Sequence, residues 1–414
     1  MIAAAGRAGL DHAVREAGGR VRAALAARFR DLDLAEEAFA EACARAAQAW
    51  PGGGEPRDPA AWLYRAAFRA ALDQQRRRAV RRRLAPDPPE ADPTAEEALM
   101  DDARLIPDER LRLIFVCCHP AVAAEARAAL TLRLVCGLST DEIARAFLMA
   151  ESALAQRLVR AKRKIAEAGV PFDVPGPDGW PERMEAVLST LEIAYAKAHE
   201  DAAGAGPHAG YADEMLRLTA LLARLAPRDG EARALAALVR YAEARRPARL
   251  DETGAMTPLS EQDPRLWRRA LIDEANSYLA EAERLGAQGP RALNAAIHGV
   301  WCSRRSLLDP PPWRRVLILY DAMLAQRDDV IVRLNRAVAL AEVVGVEPAL
   351  REVEGLEPTG LARLSSYHAV RADLLRRAGR RIEAAEAYDA VLALGPAPAE
   401  RLWLERRRRE VSER

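Results

Sequence analysis

The sequence predicts an all-α protein with more than one domain. Aromatic residues make up only 5% of the chain, while Ala, Leu, Arg and Glu recur throughout, a composition that favours helices over strands. Apolar residues recur at helical spacing between breaks rich in proline and glycine. Because the 414 residues exceed the length of a typical single domain, we expect more than one.

Two breaks divide the chain. LAPDPPEADPTAEEA, residues 84–98, contains four prolines and no apolar periodicity, which predicts an extended acidic linker. GVPFDVPGPDGWP, residues 169–181, ends a second helical run. The predicted organisation is a first module at 10–84, a linker at 85–106, a second module at 107–168 and a C-terminal extension at 182–414.

The first module contains two predicted helices. DLDLAEEAFAEACARAAQAW, residues 31–50, places an apolar stripe at helical spacing, namely Leu34, Ala38, Ala42 and Ala46. After PGGGEP, a second helix is expected to begin with Asp58 as its cap and Pro59 in its first position. On this second helix we expect Trp62, Ala66 and Leu72 to form the packed side.

The second helix of the first module also carries a basic side. Arg65, Arg69 and Arg76 lie together, and the run RRRAVRRR continues to residue 83 without an acid. A solvated basic face is the simpler interpretation. A nucleic-acid face is the alternative, and the continuity of the run favours it, because consecutive arginines neutralise phosphates.

The second module has the most specific local pattern. In GLSTDEIARAFLMAESALAQRLVRAKRKI, residues 137–165, Ser139 and Glu142 form an S-x-x-E capping box that marks a helix start. A second helix follows LMA, with an apolar stripe offset from a basic stripe. The apolar stripe is Leu154, Leu158, Ala161 and Ile165, and the basic stripe is Arg157, Arg160 and Lys164. This pattern is typical of a helix-turn-helix, although helical hairpins that bind no DNA share it.

Together the two modules resemble the extracytoplasmic-function type of sigma factor in the sigma-70 family. The likeness covers about residues 10–168 and rests on the helices of the first module, which resemble region 2, and on the helix-turn-helix, which resembles region 4. The resemblance implies binding to core RNA polymerase, through its beta and beta-prime subunits, and to the −10 and −35 promoter elements. The implied polymerase-binding residues are Asp33, Glu36, Glu37 and Glu41. The implied DNA-binding residues are Arg65, Arg69, Arg76 and Arg77 in region 2, and Ser152, Gln156, Arg157, Arg160 and Lys164 in region 4.

The C-terminal extension resembles the tetratricopeptide-like helical extension of one sigma-factor subgroup. RADLLRRAGRRIEAAEAYDAVLALGP, residues 371–396, fits the 34-residue repeat, and Gly345 precedes Gly379 by 34 positions. A distinctive polar cluster lies upstream and consists of Glu261, Gln262, Asp263 and Trp267. A loop with a helix cap is the favoured interpretation of this cluster, and a ligand site is the alternative.

The stretch FVCCHPAV, residues 115–122, raises the question of a metal or redox site. Adjacent cysteines on a helix point about 100° apart and do not readily hold one metal together, so packing is the favoured interpretation of Cys117 and Cys118. A zinc site with His119 and Cys136, and a redox sensor, are the alternatives. No nucleophile–base pair or phosphate-binding glycine loop stands out, so we expect no enzyme, no cofactor and no metal.

The leading hypothesis is therefore a sigma factor with a fused domain that regulates it, docked in cis on the sigma modules. The alternative is a helical-repeat scaffold with a vestigial DNA-binding half. No apolar run approaches the roughly 20 residues that span a bilayer. Asp11 and His12 interrupt the N-terminus where a signal peptide would stay apolar, so we expect a cytoplasmic protein.

Overall fold

The computed structural model describes residues 2–53, 56–82, 109–147, 149–176, 178–201, 209–356 and 364–412. Within these ranges the regular structure is helical, apart from an isolated β-bridge between Leu250 and Met256, and the all-α prediction is confirmed. The predicted linker at 85–106 lies outside the described residues. The chain forms two compact units, which divide between Ala194 and Tyr195.

The N-terminal unit contains both predicted modules. The first module consists of α1 (Ile2–Phe29), α2 (Leu32–Gly53) and α3 (Pro59–Arg82). The second module consists of α4 (Arg110–Cys117), α5 (Ala124–Thr131), a π-helical turn (Leu132–Cys136), α6 (Thr140–Ala146) and α7 (Glu151–Glu167). The first part of α8 (Trp180–Asp201) completes this unit.

Local caps start the helices of the first module where the sequence predicts. The backbone N–H of Leu34 donates to Asp31 Oδ1 at 2.9 Å, and that of Ala61 donates to Asp58 Oδ1 at 2.9 Å. Each bond satisfies one of the donors that a helix start leaves without an intrahelical partner. Pro59 occupies the first position of α3, as expected.

The core of the first module confirms one predicted stripe and corrects the other. On α2, Leu34, Ala38, Ala42 and Ala46 are all buried, as predicted. The predicted packed side of α3 is wrong, because Trp62, Ala66 and Leu72 are only partly buried. The buried residues of α3 are Ala61, Leu63, Ala67, Phe68, Ala70 and Ala71. Since α3 packs against both α1 and α2, its mostly small residues form the contact, and Trp62 meets Trp50 edge-on at 5.6 Å.

Helix α1, which was not among the predicted helices, joins the two modules. It packs against α2 and α3 on the first module, and against α4 and the π-helical turn on the second. Its buried residues include Val21, Ala24 and Leu25. The second module therefore lies on the first within one unit.

The C-terminal unit is a succession of packed helices. They are α9 (Ala209–Leu225), α10 (Gly230–Arg245), α11 (Arg269–Arg284), α12 (Pro290–Cys302), α13 (Trp313–Gln326), α14 (Val330–Val343), α15 (Val346–Glu354), α16 (Ser365–Arg377), α17 (Arg381–Ala393) and α18 (Pro398–Ser412). Helix α10 packs against α9, α11 and α12, and every side chain from Ala234 to Arg245 is buried. From α12 onward each helix packs against the next.

Two helical hairpins near the C-terminus turn at glycines that lie 34 positions apart. Gly345 lies between α14 and α15, and Gly379 lies between α16 and α17. Both glycines have positive φ, 129° and 77°, which only glycine adopts without a steric penalty. The hairpins share one apolar core, which includes Leu334, Leu350, Leu375 and Tyr388.

The polar cluster upstream of α11 forms a loop and a short 3₁₀ cap. Asp263 Oδ1 accepts from the Arg265 backbone N–H at 3.0 Å, and Glu261 pairs with Arg407 of α18 at 3.2 Å. Gln262 and Trp267 are buried. These contacts agree with the favoured loop-and-cap interpretation.

Candidate nucleic-acid and polymerase interface

The helix-turn-helix begins with the predicted capping box. The Ser139 backbone N–H donates to Glu142 Oε2 at 2.7 Å, and the Glu142 backbone N–H donates to Ser139 Oγ at 3.1 Å. These reciprocal bonds confirm the box and fix the start of α6. Helices α6 and α7 pack against each other, and α7 also packs on α5.

The apolar and the basic residues of α7 lie on different sides of the helix, as predicted. Leu154, Leu158, Ala161 and Ile165 are its buried residues. The five residues expected to bind DNA lie on the remaining surface: Ser152, Gln156, Arg160 and Lys164 are exposed, and Arg157 is partly exposed. An exposed face with several cations is what a helix needs in order to meet base edges and phosphates in a major groove.

The basic side of α3 is also accessible. Arg69, Arg76 and Arg77 are exposed, and Arg65 is partly exposed. Arg76 Nη1 lies 4.0 Å from Asp73 Oδ1, a distance at which an exposed pair contributes little. Arg78 differs, because it pairs with Asp31 at 2.8 Å and with Glu37 at 3.1 Å. The basic run is therefore partly neutralised by α2.

The acidic residues of α2 divide between two sides of the helix. Glu37 pairs with Arg78, while Glu41 pairs with Arg45 and lies 3.5 Å from Gln74, all within the first module. Asp33 and Glu36 instead contact the second module. Lys162 of α7 lies 2.5 Å from Asp33 and 2.8 Å from Glu36, and Arg133 of the π-helical turn donates to Glu36 at 3.0 Å.

A buried arginine forms the centre of the contact between the modules. Arg22 of α1 donates through Nε to the Leu134 carbonyl at 2.9 Å, and its guanidinium lies 4.7 Å from the centroid of the Phe39 ring. Burial lowers the pKa of Arg22 to about 10, with a smaller contribution from the cation Arg133. The carbonyl and the ring face offset part of the cost of burying this charge. No motif in the sequence identifies Arg22.

The two adjacent cysteines of FVCCHPAV lie inside the second module. Cys117 and Cys118 are buried, and Cys118 Sγ lies 3.6 Å from Thr131 Oγ1. Burial raises the pKa of both thiols, which keeps them protonated and weakly reactive. His119 lies outside the helix, and its Nδ1 accepts from the Ala121 backbone N–H at 3.1 Å. Among the described residues, no group of three or more His, Cys, Asp or Glu side chains is arranged to hold a metal ion.

Residues of the break after α7 pack on the second module. Val170 and Phe172 are buried. Trp180 meets Phe115 of α4 edge-on at 5.3 Å, and Arg183 donates to the Phe115 carbonyl at 2.5 Å. Apolar residues among the prolines and glycines account for this packing, so the N-terminal unit continues past the expected boundary at residue 168.

Comparisons with known proteins agree with this geometry. Residues 112–165 match the family described as Sigma-70, region 4, and residues 183–283 match a family of unknown function (DUF6596). An uncharacterized protein of Rhizobium meliloti (strain 1021) is 39% identical over 402 residues, which cover 95% of this chain and 94% of that protein. This chain belongs to the same family as that protein. No solved structure matches the chain.

The region 4 match supports a sigma-factor-like DNA-binding role for this chain. The match spans α4 to α7 and thus includes the capping box and the exposed face of α7. Sigma-70 region 4 is a transcription-factor domain and not an enzyme family. In the part of the chain that the structure describes, no helix is both long enough and apolar enough to cross a membrane.

Proposed function

We propose that this protein is a sigma factor of the extracytoplasmic-function type that directs core RNA polymerase to specific promoters. The observation that carries the proposal is the exposed polar and basic face of α7, within a helix-turn-helix that matches region 4. On this proposal, Gln156, Arg157 and Arg160 contact the −35 element. Ser152 and Lys164, at the two ends of the same face, contact its flanks and phosphates.

In this proposal the first module functions as region 2 of a sigma factor. Its exposed arginines on α3, Arg69, Arg76 and Arg77, with the partly exposed Arg65, supply the phosphate contacts that an opened −10 element requires. The acids of α2 bind the beta-prime subunit, with the beta subunit completing the polymerase surface. Each of these acids contacts a cation in the free chain, so docking exchanges internal ion pairs for intermolecular ones.

In this proposal the C-terminal unit is a tetratricopeptide-like regulatory domain. Two helical hairpins, α14–α15 and α16–α17, support this part of the proposal, because their glycine turns repeat after 34 positions. We expect this unit to act in cis on the sigma modules. It is joined to them by a single chain, so its effective concentration there is high.

Polymerase binding tests the proposal directly. The full chain should bind purified bacterial core polymerase in a fluorescence-anisotropy titration. Charge reversal at Glu37 and Glu41 should weaken binding by about tenfold or more, because each reversal puts a repulsive cation in a docking surface. Reversal of Glu283, an exposed acid of α11, is the matched control. Absence of binding by the unaltered chain would favour the scaffold alternative.

A further inference from the structure

Two cations of the second module occupy one side of α2. Lys162 Nζ lies 2.5 Å from Asp33 Oδ1 and 2.8 Å from Glu36 Oε2, and Arg133 Nε donates to Glu36 Oε1 at 3.0 Å. Both oxygens of Glu36 are thus engaged by the second module. We call these four side chains the latch.

The central pair of the latch, Lys162 and Glu36, is shielded from solvent more than an ordinary surface pair, whereas Asp33 and Arg133 are 56% and 37% exposed. The side chains of Lys162 and Glu36 are only 15% and 17% exposed. Burial lowers the pKa of Lys162, but its hydrogen bonds to Asp33 and Glu36 more than offset this effect, so its pKa is raised overall. Lys162 therefore stays charged throughout the neutral range. A pair this buried leaves an uncompensated charge when one partner is removed.

A second set of contacts, which contains no ion pair, also holds the first and second modules together. We call this contact between the two modules the seam. Arg22 donates to the Leu134 carbonyl, and the helix of Gly19 comes so close to the π-helical turn that a Cβ at Gly19 would lie 2.0 Å from the Val135 carbonyl oxygen. No real Cβ tolerates that distance, so any larger residue at position 19 must displace α1 from the π-helical turn at this contact. The seam is therefore specific in its backbone as well as in its charges.

The DNA-binding face of α7 lies elsewhere on the same helix. Ser152, Gln156 and Arg160 are exposed while Lys162 is engaged with α2. The closed arrangement thus engages Asp33 and Glu36, two of the four acids expected to bind polymerase, and leaves the DNA-reading face open.

We infer that the second module and core polymerase compete for the same side of α2, so that the latch is a built-in restraint on polymerase docking. This inference rests on the proposed function, because it assigns a regulation to the same acidic surface. In a two-state scheme, the apparent Kd for polymerase equals the intrinsic Kd divided by the fraction of chains with the latch open. Opening the latch without altering the acids should tighten binding.

Two variants open the latch by different means. Lys162→Met removes the cation on α7 and keeps both acids, and Gly19→Ala changes no charge but forces the seam apart. Each should lower the apparent Kd for core polymerase about three- to tenfold, as expected when roughly 10–30% of free chains are open. Arg163→Met is the matched control, because Arg163 lies on the same helix, is 68% exposed, and pairs only with Glu167 among the described residues.

Hydrogen exchange separates the latch from the polymerase contact. In the free full chain, residues 132–138 should exchange faster in Lys162→Met and in Gly19→Ala than in Arg163→Met. If the unaltered chain fails to bind polymerase, the proposed function is wrong, whatever the exchange shows. If the unaltered chain binds and both variants exchange faster but bind with the same Kd, competition for α2 is wrong. Unchanged exchange in both variants would show that the latch does not hold the modules together, which also overturns the inference.

Discussion

Lys162 Nζ lies 2.8 Å from Glu36 Oε2, although the two residues are 126 positions apart in the chain. This contact joins α7, the helix expected to read DNA, to α2, the helix expected to bind polymerase. A cation of the helix expected to read DNA thus neutralises an acid of the helix expected to bind polymerase. The proposed competition for α2 rests on this contact.

The capping box sets the stability of the helix-turn-helix. Ser139→Ala removes the acceptor for the Glu142 backbone N–H and should lower the free energy of unfolding by about 1 kcal/mol. Ser189→Ala is the control, since the Ser189 hydroxyl donates to Glu185 on the exposed side of α8 and caps no helix. Urea titration of the full chain measures both. Equal losses would show that the box contributes nothing specific.

The exposed face of α7 should carry the affinity for the −35 element. Arg157→Ala and Arg160→Ala should each cost about 1–3 kcal/mol in binding to a cognate promoter and should reduce the salt dependence of that binding. Arg224, an exposed arginine of α9, provides the control substitution to Ala. Promoter binding by the polymerase holoenzyme is the measurement. If the double variant binds as tightly as the control, α7 serves packing or protein contact instead.

The buried thiols should be unreactive in the folded chain. Because burial raises the pKa of Cys118 above its ordinary value of 9.0, the protonated form is favoured by folding. The resulting stabilisation is complete below pH 9.0 and is lost as the pH rises through the higher folded pKa. Iodoacetamide at pH 8, followed by peptide mass spectrometry, should leave Cys117 and Cys118 unmodified until urea is added. Rapid labelling of the native chain would support the redox alternative.

Removal of the C-terminal unit should change transcription without unfolding the sigma modules, provided that the shortened chain keeps the residues after α7 that pack in the N-terminal unit. A chain that ends after Ala194 keeps Phe172, Trp180 and Arg183, which pack in the N-terminal unit. We expect its helical content per residue to be retained and its promoter-specific transcription to rise or fall several-fold. A chain that ends after Val170 exposes Phe115 and should unfold at lower urea concentration. Equal transcription by the full chain and the 194-residue chain would remove the regulatory role.

Local patterns predicted the parts of the fold that depend on neighbouring residues. Asp58 with Pro59 located the start of α3, and Ser139 with Glu142 located the start of α6, because caps act within one helical turn. The apolar stripe of α7 was equally readable, since its amphipathic pattern is strong. The packed side of α3 could not be predicted in this way. Helices contact α3 on two sides and bury small residues, which form no clear apolar stripe in the sequence.

The contacts between the modules lie beyond local patterns. Arg22 meets Leu134 across 112 positions, and Gly19 meets Val135 only because α1 packs on both modules. A lone arginine or glycine within a helix has many ordinary explanations, so the sequence did not indicate that Arg22 and Gly19 lie between the modules. The acids of α2 could be assigned to a polymerase surface from the resemblance, but their internal partners required the tertiary structure.

Transcription initiation by reconstituted holoenzyme tests the central claim most directly. Purified core polymerase should be incubated with genomic DNA of the source organism, with and without the full chain, and the 5′ ends of the transcripts sequenced. We predict a small set of start sites that appear only with the chain, share an upstream element, and disappear with Arg157→Ala/Arg160→Ala. If the chain binds the polymerase but produces no start sites beyond those of the core enzyme alone, the protein is not a sigma factor.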